Sequence, residues 1–412
     1  MFILNKLLEV NSNTLEIKEA IDFNLSNIEF IEGNGVTYGL SYQDNGNGSS
    51  RVKLLISPLY QSKTYECDTS VNVTNEFKDQ LSLTLIEDSV EVDKVGIIFP
   101  EEGINKEGEK YIKGLTLSTY ETKHSTNAPS VEHLGKTKLQ KNANNSNLAN
   151  KGNSYFQPKA AKVDNGDIIV IAHNLKDQTL VSWYLESNGD GKFKALPGKT
   201  GIIERKLFKF DNPEQLALDS NTMLYAQMRK RIIKYQEVKK TQIFKFDTAE
   251  VVQNLKDRKK ADECLLSRKK CQINTASYIA SNPGEVNFLQ HVKRVKGDDL
   301  VAFLAEDPSS NKPKLHLTSL VKKGPKLNFT VCEFEDSIKQ LYVKDNGQDS
   351  LITAISEENI IIFNHKSSKK PHKVTIIPAN SIKTLSDFVN IINGRLTPSI
   401  IFILFPVILQ PL

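Results

Sequence analysis

The chain has 412 residues, of which 39% are hydrophobic and 25% are charged. This composition is apolar enough to bury a core, so it excludes a wholly disordered protein. The 4 cysteines exclude a disulfide-built scaffold, and a formal net charge of +5 is too small by itself to identify a nucleic-acid binder. At roughly 150 residues per domain, the length fits two or three ordinary domains or one large β architecture.

The amino-terminal segment, residues 1–9, does not have the pattern of a secretory signal. Asn5, Lys6 and Glu9 interrupt its apolar run, whereas a signal requires about 7–15 consecutive apolar residues. Because the chain also has no disulfide framework, the sequence favours an intracellular protein.

Short strands are the dominant signal along the chain. Runs of β-branched and aromatic residues recur between turns of Asn, Asp, Gly and Ser, which is typical of β-strands. The predicted strands are 36–42, 52–56, 81–86, 95–99, 112–118, 168–173, 179–185, 300–305, 315–321, 327–331, 351–355 and 360–363. Residues 168–171 are apolar at consecutive positions, so we expect a strand buried on both faces. The segments between the strands rarely reach helical length, which disfavours a wound α/β sheet.

Three stretches share one layout, in which a polar turn precedes a buried strand, a tight turn and a half-buried strand. They span residues 164–185, 296–321 and 345–363. The buried strands of the last two begin at Leu300 and Leu351, 51 residues apart, a period that suits one four-stranded propeller blade. We therefore predict an all-β fold, a divergent β-propeller with a basic helical insertion and a C-terminal helix. Two β-sandwich domains are the alternative.

Two regions interrupt the strands of a propeller-like body that we assign to residues 1–380. Residues 125–153 are rich in Asn, Ser, Lys and Gly and nearly free of apolar residues, so we expect a flexible insertion. Residues 247–271 are basic and carry a partial apolar stripe, which predicts a partly helical insertion.

The carboxyl-terminal region, residues 381–412, is predicted to contain a helix and an apolar tail. Residues 382–392 have apolar positions with a 3.6-residue period, between a capping Ser381 and a terminating Gly394. Residues 400–409 are apolar with one proline, which is short of the about 20 residues of a spanning helix. We predict no membrane span and expect the tail to pack on the body. A membrane-associating tail and a chain end that is not the natural one are the alternatives.

The sequence contains no recognisable catalytic or cofactor motif. Its 7 histidines form no metal-binding cluster, and GxSxG, Walker and GxGxxG motifs are absent. His124 and His133 lie by or in the predicted flexible insertion. His173 and His316 lie on predicted strands, where we expect a histidine to have a structural role. We therefore predict no catalytic residues, no metal and no cofactor, and a protein that is not an enzyme.

Positive charge is concentrated between Arg229 and Lys270. This segment holds 14 basic and 6 acidic residues, a net charge of +8, whereas the other 370 residues carry a net charge of −3. Such a patch attracts a phosphate backbone or an acidic partner. The predicted contact residues are Arg229, Lys230, Arg231, Lys234, Arg258, Lys259, Lys260, Arg268, Lys269 and Lys270. A solvated surface and a nuclear import signal are the alternative interpretations.

The blade-like spacing resembles that of degenerate WD-type β-propellers in large nuclear assemblies, such as those of ribosome biogenesis. The Gly-His and Trp-Asp signatures of WD repeats are absent, since the sole tryptophan, Trp183, stands between Ser182 and Tyr184. The resemblance implies a nuclear or nucleolar scaffold that docks protein or RNA–protein partners, with RNA contacting the basic segment. The sequence identifies no small-molecule ligand.

The acidic, glycine-rich turns resemble those of integrin-type FG-GAP propellers, which bind calcium. The matching residues are Asn188, Asp190, Asp345, Asn346 and Asp349, although the Phe-Gly and Gly-Ala-Pro elements of that repeat are absent. An exported or surface calcium-binding propeller is therefore one alternative function. An enzyme with its site in a propeller channel is another.

Overall fold

The computed structural model describes most of the chain up to residue 378. The described residues are 2–3, 6–10, 17–22, 31–33, 36–58, 65–89, 92–104, 108, 110–123, 128–139, 155–163, 166–174, 179–203, 212–219, 221–233, 236–256, 272–273, 277–282, 285–294, 296–306, 310, 312–320, 329–335, 337–345, 350–356, 359–365 and 374–378. The helix and apolar tail predicted for residues 381–412 lie outside these ranges.

The described residues form an amino-terminal sheet and six further sheets, which we number as blades 1 to 6. The amino-terminal sheet contains β1 (Phe2–Ile3), β2 (Lys6–Val10) and β3 (Ile17–Asp22). Blade 1 contains β4 (Ile31–Gly33), β5 (Val36–Asp44), β6 (Ser49–Pro58) and β7 (Tyr65–Thr74). Blade 2 contains β8 (Ser82–Glu87), β9 (Val92–Ile104), β10 (Lys110–Lys123) and β11 (Ser130–Leu139). A short 3-10 helix, Asn75–Gln80, connects blades 1 and 2.

The later blades follow in chain order, with one helix among them. Blade 3 contains β12 (Tyr155–Lys162), β13 (Ile168–Asn174), β14 (Thr179–Ser187), β15 (Phe193–Ile203) and β19 (Gln272–Ile273). Blade 4 contains β16 (Asn212–Leu218), β17 (Thr222–Ile233), β18 (Gln236–Asp247) and β20 (Ser277–Asn282), and α1 (Thr248–Lys256) follows β18. Blade 5 contains β21 (Val286–Val292), β22 (Leu300–Glu306), β23 (Pro313–Ser319) and β24 (Phe329–Glu333). Blade 6 contains β25 (Ile338–Asp345), β26 (Ser350–Ser356), β27 (Asn359–His365) and β28 (Val374–Pro378).

The arrangement of the six blades is that of a β-propeller. In each blade the strands pair in antiparallel order, apart from β19, which adds to β15 in parallel. The first strands of successive blades contact one another, from β4 through β8, β12, β16 and β21 to β25. Repeated meanders with their first strands side by side are the propeller architecture, in which these strands surround the centre. The all-β prediction and its propeller form are therefore confirmed.

Blade stacking explains why some strands are apolar at consecutive positions. β13 is buried along its whole length. Ile168 and Val170 belong to the apolar cluster between blades 2 and 3, whereas Ile169 and Ile171 belong to the cluster between blades 3 and 4. Because the side chains of a strand alternate between its faces, a strand between two neighbouring blades needs apolar residues on both. Analogous clusters join blades 1 and 2, blades 4 and 5, and blades 5 and 6.

The structure differs from the sequence-based expectation of a flexible insertion over residues 125–153. Within that range, Ser130–Leu139 forms the outer strand β11, which pairs with β10 over its whole length. The backbone ladder supplies the hydrogen bonds of this strand, and only a few side chains, such as Leu139, reach the core. An outer strand therefore forms with little apolar content, which the composition of the segment did not reveal.

Helix α1 occupies the first part of the segment 247–271, which was predicted to be partly helical. The carboxylate of Asp247 accepts a hydrogen bond from the Ala249 N–H at 2.9 Å, as expected of a residue before a helix start. Val251, Val252 and Leu255 bury the helix in the cluster between blades 3 and 4. No helix among the described residues is long and apolar enough to cross a membrane.

Candidate nucleic-acid interface

Three of the ten predicted contact residues lie together on one described strand. Arg229, Lys230 and Arg231 belong to β17, and β18 carries two further lysines of the basic segment, Lys239 and Lys240. The other predicted residues lie outside the described part of the chain. They are Lys234, Arg258, Lys259, Lys260, Arg268, Lys269 and Lys270.

Strands β17 and β18 extend beyond the strands on either side of them. β16 pairs with β17 as far as Met228, and β20 pairs with β18 as far as Thr241. The register between β17 and β18 continues past both points, over residues 229–233 and 236–240. In the described part of blade 4, residues 229–233 and 236–240 therefore form a two-stranded extension of the sheet. We call residues 229–233 and 236–240 the basic ribbon.

The register of the basic ribbon places like charges opposite each other. Arg229 pairs with Lys240, and Lys230 pairs with Lys239. Directly opposed like charges weaken a strand pair. The ribbon has 5 basic residues and a single acid, Glu237.

The basic positions are distributed over both faces of the ribbon. Because strand residues alternate between faces and paired residues share one, Arg229, Arg231 and Lys240 occupy positions on the first face. Lys230 and Lys239 occupy positions on the second face. The two faces can therefore be tested separately by substitution.

The first face of the ribbon continues the side of blade 4 that packs on blade 3. Tyr225 and Phe244 lie on that side, in the cluster shared by the two blades. Position 229 follows Tyr225 by four residues in the same strand, so it lies on the same face of the sheet as Tyr225. The ring of His173, from β13, lies opposite, with its centroid 5.9 Å from that of Tyr225. Burial lowers the pKa of His173 to about 4, so its imidazole is neutral at neutral pH.

One buried polar atom lies next to the start of the ribbon. Gln242 pairs with Gln227, two residues along the strands from the Arg229–Lys240 pair. The side-chain oxygen Oε1 of Gln242 is buried and accepts no hydrogen bond from the described residues. Buried polar atoms are normally hydrogen-bonded by protein or by water.

At the opposite end of the propeller, an aspartate recurs in four blades, in the turn between the first and second strands or, for Asp93, at the start of the second strand. Each aspartate accepts a backbone hydrogen bond through Oδ1. The bonds are Ser89 N–H to Asp93 at 2.9 Å, Ser187 N–H to Asp167 at 2.9 Å, Asn221 N–H to Asp219 at 2.8 Å and Arg294 N–H to Asp299 at 2.9 Å. Asp167 and Asp299 lie in polar turns that the sequence layout identified. These turns therefore have a structural role that repeats from blade to blade.

His291 links two of these turns across the boundary between blades 4 and 5. Its Nδ1 hydrogen-bonds the carboxylate of Asp219, and its Nε2 lies 3.1 Å from Oδ2 of Asp299. Burial disfavours the charged imidazole, but the two carboxylates outweigh burial and raise the pKa of His291. Burial likewise disfavours the Asp219 carboxylate, but its hydrogen bond to His291 helps to lower the pKa of Asp219. We call these three residues the histidine clasp.

The sequence interpretation placed His133 in the flexible insertion of residues 125–153, but the structure places it in β11, opposite Tyr120. Its Nε2 lies 3.1 Å from Oγ of Ser118, and its ring centroid lies 5.2 Å from that of Tyr120. Burial and the nearby Lys136 lower the pKa of His133. Ser118 is fully buried, so this serine–histidine contact joins strands and does not present a nucleophile to solvent.

The histidine clasp predicts a loss of stability at alkaline pH. A histidine with a raised folded pKa contributes stability below its unfolded pKa of about 6.5, and that contribution disappears as the pH rises through the folded value. We expect His291→Gln to remove this decline, because glutamine does not titrate. The measurement is the urea midpoint from pH 5.5 to 9. His133→Gln is the control, since the pKa of His133 is shifted in the opposite direction to that of His291. An unchanged decline in His291→Gln would contradict the assignment.

The candidate calcium turns do not form a metal site in the described part of the chain. Asn188 and Asp190 lie in the exposed turn between β14 and β15, where Gly189 has a φ of +94°. A positive φ suits glycine and identifies a hairpin turn. Asp345 ends β25, and the other two candidates lie outside the described residues. Among the described residues, no three His, Cys, Asp or Glu side chains are grouped to hold a metal.

Comparison with known proteins identifies similar structures but no family. No family model matches the chain, and no curated protein matches it. The β-propeller domain of the Trilobed protease from Pyrococcus furiosus is 8% identical, with a TM-score of 0.38 over 85% of this chain and 97% of that chain. The WD40 domain of SCAP from fission yeast is 8% identical, with a TM-score of 0.40 over 85% of this chain and 86% of that chain. The α-L-arabinanase from Cellvibrio cellulosa is 9% identical, with a TM-score of 0.34 over 72% of this chain and 92% of that chain.

The prediction that the protein is not an enzyme is wrong as it was stated. The similar structures include, besides the arabinanase, a polysaccharide lyase, a β-1,3-galactosidase and an exo-β-1,3-galactanase. A propeller places few demands on its turns and strand ends, so one architecture carries binding surfaces in some proteins and catalytic groups in others. The absence of a catalytic motif in the sequence therefore does not decide between these classes.

Proposed function

We propose that this propeller binds single-stranded RNA through the basic ribbon and so docks onto an RNA–protein assembly. The observation that carries the proposal is the register of the ribbon, which pairs Arg229 with Lys240 and Lys230 with Lys239 beyond the edge of blade 4. Closely spaced cations on a projecting element attract a phosphate backbone, and the displaced counterions add to the affinity.

The shape of the ribbon favours a single strand over a duplex. Its five residue pairs extend for about 16 Å at about 3.3 Å per residue, which is long enough to follow several phosphates. The deep and narrow major groove of an RNA duplex does not admit side chains for readout. Residues 229–233 and 236–240 contain no aromatic residue, so the ribbon itself offers no platform for base stacking. We therefore expect RNA binding that depends on phosphate contacts and varies little with base sequence.

The proposal predicts a strong salt dependence of RNA affinity. A fluorescent 20-nucleotide oligouridylate is titrated with the full chain at several KCl concentrations, and the dissociation constant is measured by anisotropy. With three to five phosphate contacts, the log–log slope of affinity against salt is about −2 to −3.5. Arg229→Glu with Arg231→Glu removes two contacts, so we expect affinity to fall at least tenfold and the slope to become shallower by about 1.4.

Matched variants make this test specific. Lys230→Glu with Lys239→Glu gives the same change in net charge on the other face of the ribbon, so a smaller loss identifies the first face as the main contact. Arg258→Glu, Lys259→Glu and Lys260→Glu together test the second basic cluster identified from the sequence. Circular dichroism confirms that each variant is folded. Wild-type affinity and salt slope in both ribbon variants would refute the proposal, and a preference for polyglutamate over RNA would assign the ribbon to an acidic protein partner.

A further inference from the structure

The turn between β5 and β6 of blade 1, residues 44–49, contains two Asn-Gly pairs in succession. They are Asn45-Gly46 and Asn47-Gly48, and all four residues are exposed. The two glycines have φ values of +75° and +76°, the conformation for which hairpin turns select glycine. A Cβ atom placed on either glycine would meet no described atom within 4 Å, so the space around both is open.

Hydrogen bonds from Ser49 hold the Asn47 side chain over the next peptide unit. The Oδ1 atom of Asn47 accepts from the Ser49 N–H at 3.2 Å and from the Ser49 hydroxyl at 2.6 Å. The first bond closes an Asx turn, a ring that includes the Gly48 nitrogen, so Cγ of Asn47 is folded towards that nitrogen. The Ser49 hydroxyl also accepts a hydrogen bond from Nδ2 of Asn45 at 3.2 Å, which strengthens its own donation. Two donors on Oδ1 make Cγ of Asn47 more electrophilic.

The nitrogen that follows Asn47 differs from those of the other described Asn-Gly pairs. The Gly48 N–H donates no hydrogen bond within the part of the chain that the structure describes. By contrast, the Gly46 N–H donates to Oδ1 of Asp44 at 2.9 Å, and the Gly189 N–H donates to Oγ of Ser187 at 3.2 Å. A hydrogen bond made by the neutral amide disfavours the loss of its proton. The Gly48 nitrogen is therefore the one most readily converted to a nucleophile.

We propose that Asn47 is a site of spontaneous modification, at which the turn converts asparagine to isoaspartate and aspartate. The Gly48 nitrogen gives its proton to hydroxide and forms a bond to Cγ of Asn47, and Nδ2 takes up a proton and leaves as ammonia. Water then adds to a carbonyl carbon of the resulting succinimide, and the bond from that carbon to the ring nitrogen breaks. Cleavage at the main-chain carbonyl gives isoaspartate, and cleavage at Cγ gives aspartate. The turn promotes the first step by holding nitrogen and carbon close together.

The modification changes both the charge and the path of the chain in this turn. Each product carries a negative charge, and isoaspartate inserts an extra carbon atom into the main chain before Gly48. The Gly48 carbonyl accepts a hydrogen bond from the Asn75 N–H at 3.0 Å, and Asn75 begins the 3-10 helix between blades 1 and 2. Conversion of Asn47 therefore disturbs the link between these two blades. The inference is independent of the basic ribbon, which belongs to blade 4.

The test incubates the full chain near neutral pH, both folded and in concentrated urea, and follows the three Asn-Gly pairs in one protein digest by mass spectrometry. In urea we expect the three asparagines to convert at similar rates, since each precedes a glycine in an unfolded chain. In the folded protein we expect Asn47 to convert several times faster than Asn45 and Asn188. Equal rates in the folded protein, or the same ratios as in urea, would overturn the inference.

Two serine variants make the test specific, with Asn47 and Asn188 compared in the same sample. Ser49→Ala removes the hydroxyl that donates to Asn47, so conversion there should slow about fivefold, the effect of about one hydrogen bond, while Asn188 keeps its rate. Ser187→Ala removes the acceptor of the Gly189 N–H, so conversion of Asn188 should become faster. The ratio of the Asn47 rate to the Asn188 rate therefore falls in both variants. Circular dichroism confirms that each is folded, and an unchanged ratio in either would contradict the proposal.

Discussion

Replacing Trp183 with alanine is expected to destabilise the propeller by about 3–5 kcal/mol. Trp183 is 2% exposed and lies in the cluster between blades 2 and 3. Its ring packs edge-on against Tyr155, with centroids 5.9 Å apart. Alanine leaves a cavity that the surrounding strands cannot close, because neighbouring blades hold them on both sides. The expected effect therefore measures how strongly the two blades are joined.

The measurement is urea unfolding followed by far-ultraviolet circular dichroism, which does not depend on the tryptophan. Ile104→Ala is the matched apolar control, since Ile104 is 70% exposed, and its effect should stay within about 0.5 kcal/mol. The loss of unfolding free energy in Trp183→Phe should lie between those of Trp183→Ala and Ile104→Ala. If Trp183→Ala unfolded at the same urea concentration as Ile104→Ala, the stacking of blades 2 and 3 described above would be incorrect.

Acidification from pH 7 to pH 4 is expected to cost the folded state about 3 kcal/mol through His173 alone. Burial lowers the pKa of His173 to about 4, whereas the unfolded value is about 6.5. Between these values the unfolded chain binds a proton that the folded chain does not bind. The contribution of His173 is therefore complete above about pH 6.5 and is lost as the pH falls towards 4.

His173→Phe keeps a ring against Tyr225 but does not titrate. The difference in unfolding free energy between wild type and this variant, measured by urea unfolding at intervals from pH 7 to pH 4, isolates the histidine from the carboxylates that titrate in the same range. We expect that difference to shift by about 3 kcal/mol in favour of the variant as the pH falls. His291→Gln is the control with the opposite pH dependence, since the stability that His291 contributes changes above about pH 6.5. A pH-independent difference for His173→Phe would show that the imidazole is not held neutral by burial.

The strand pattern was readable from the sequence because it is local. Residues 168–171 are consecutive apolar residues, and that pattern correctly predicted a strand buried on both faces. Each of the twelve predicted strands overlaps a strand of the structure. β11 was missed because an outer strand depends on pairing with β10 more than on its own apolar residues.

The candidate sites depend on contacts that sequence spacing does not show. Asp219 and His291 are 72 residues apart in the chain and meet only because blades 4 and 5 stack. Gln157, in β12, carries no distinctive motif, but its side chain accepts a hydrogen bond from the Leu216 N–H of the neighbouring blade. To predict these contacts from the sequence, one would have to know which turns of successive blades lie side by side. That in turn requires knowing where each blade begins and ends.

The sequence by itself determined the strand-rich architecture and the concentration of charge between Arg229 and Lys270, since alternation and charge are properties of neighbouring residues. Only the tertiary structure decided how that charge is arranged. The register of β17 and β18 pairs Arg229 with Lys240, and the shorter strands beside them leave the pair on a projecting ribbon. Register and strand length depend on the packing of whole blades, because each sheet must align its apolar faces with both neighbours. The packing of blade 4 thus places five basic residues of the segment on one two-stranded extension of its sheet.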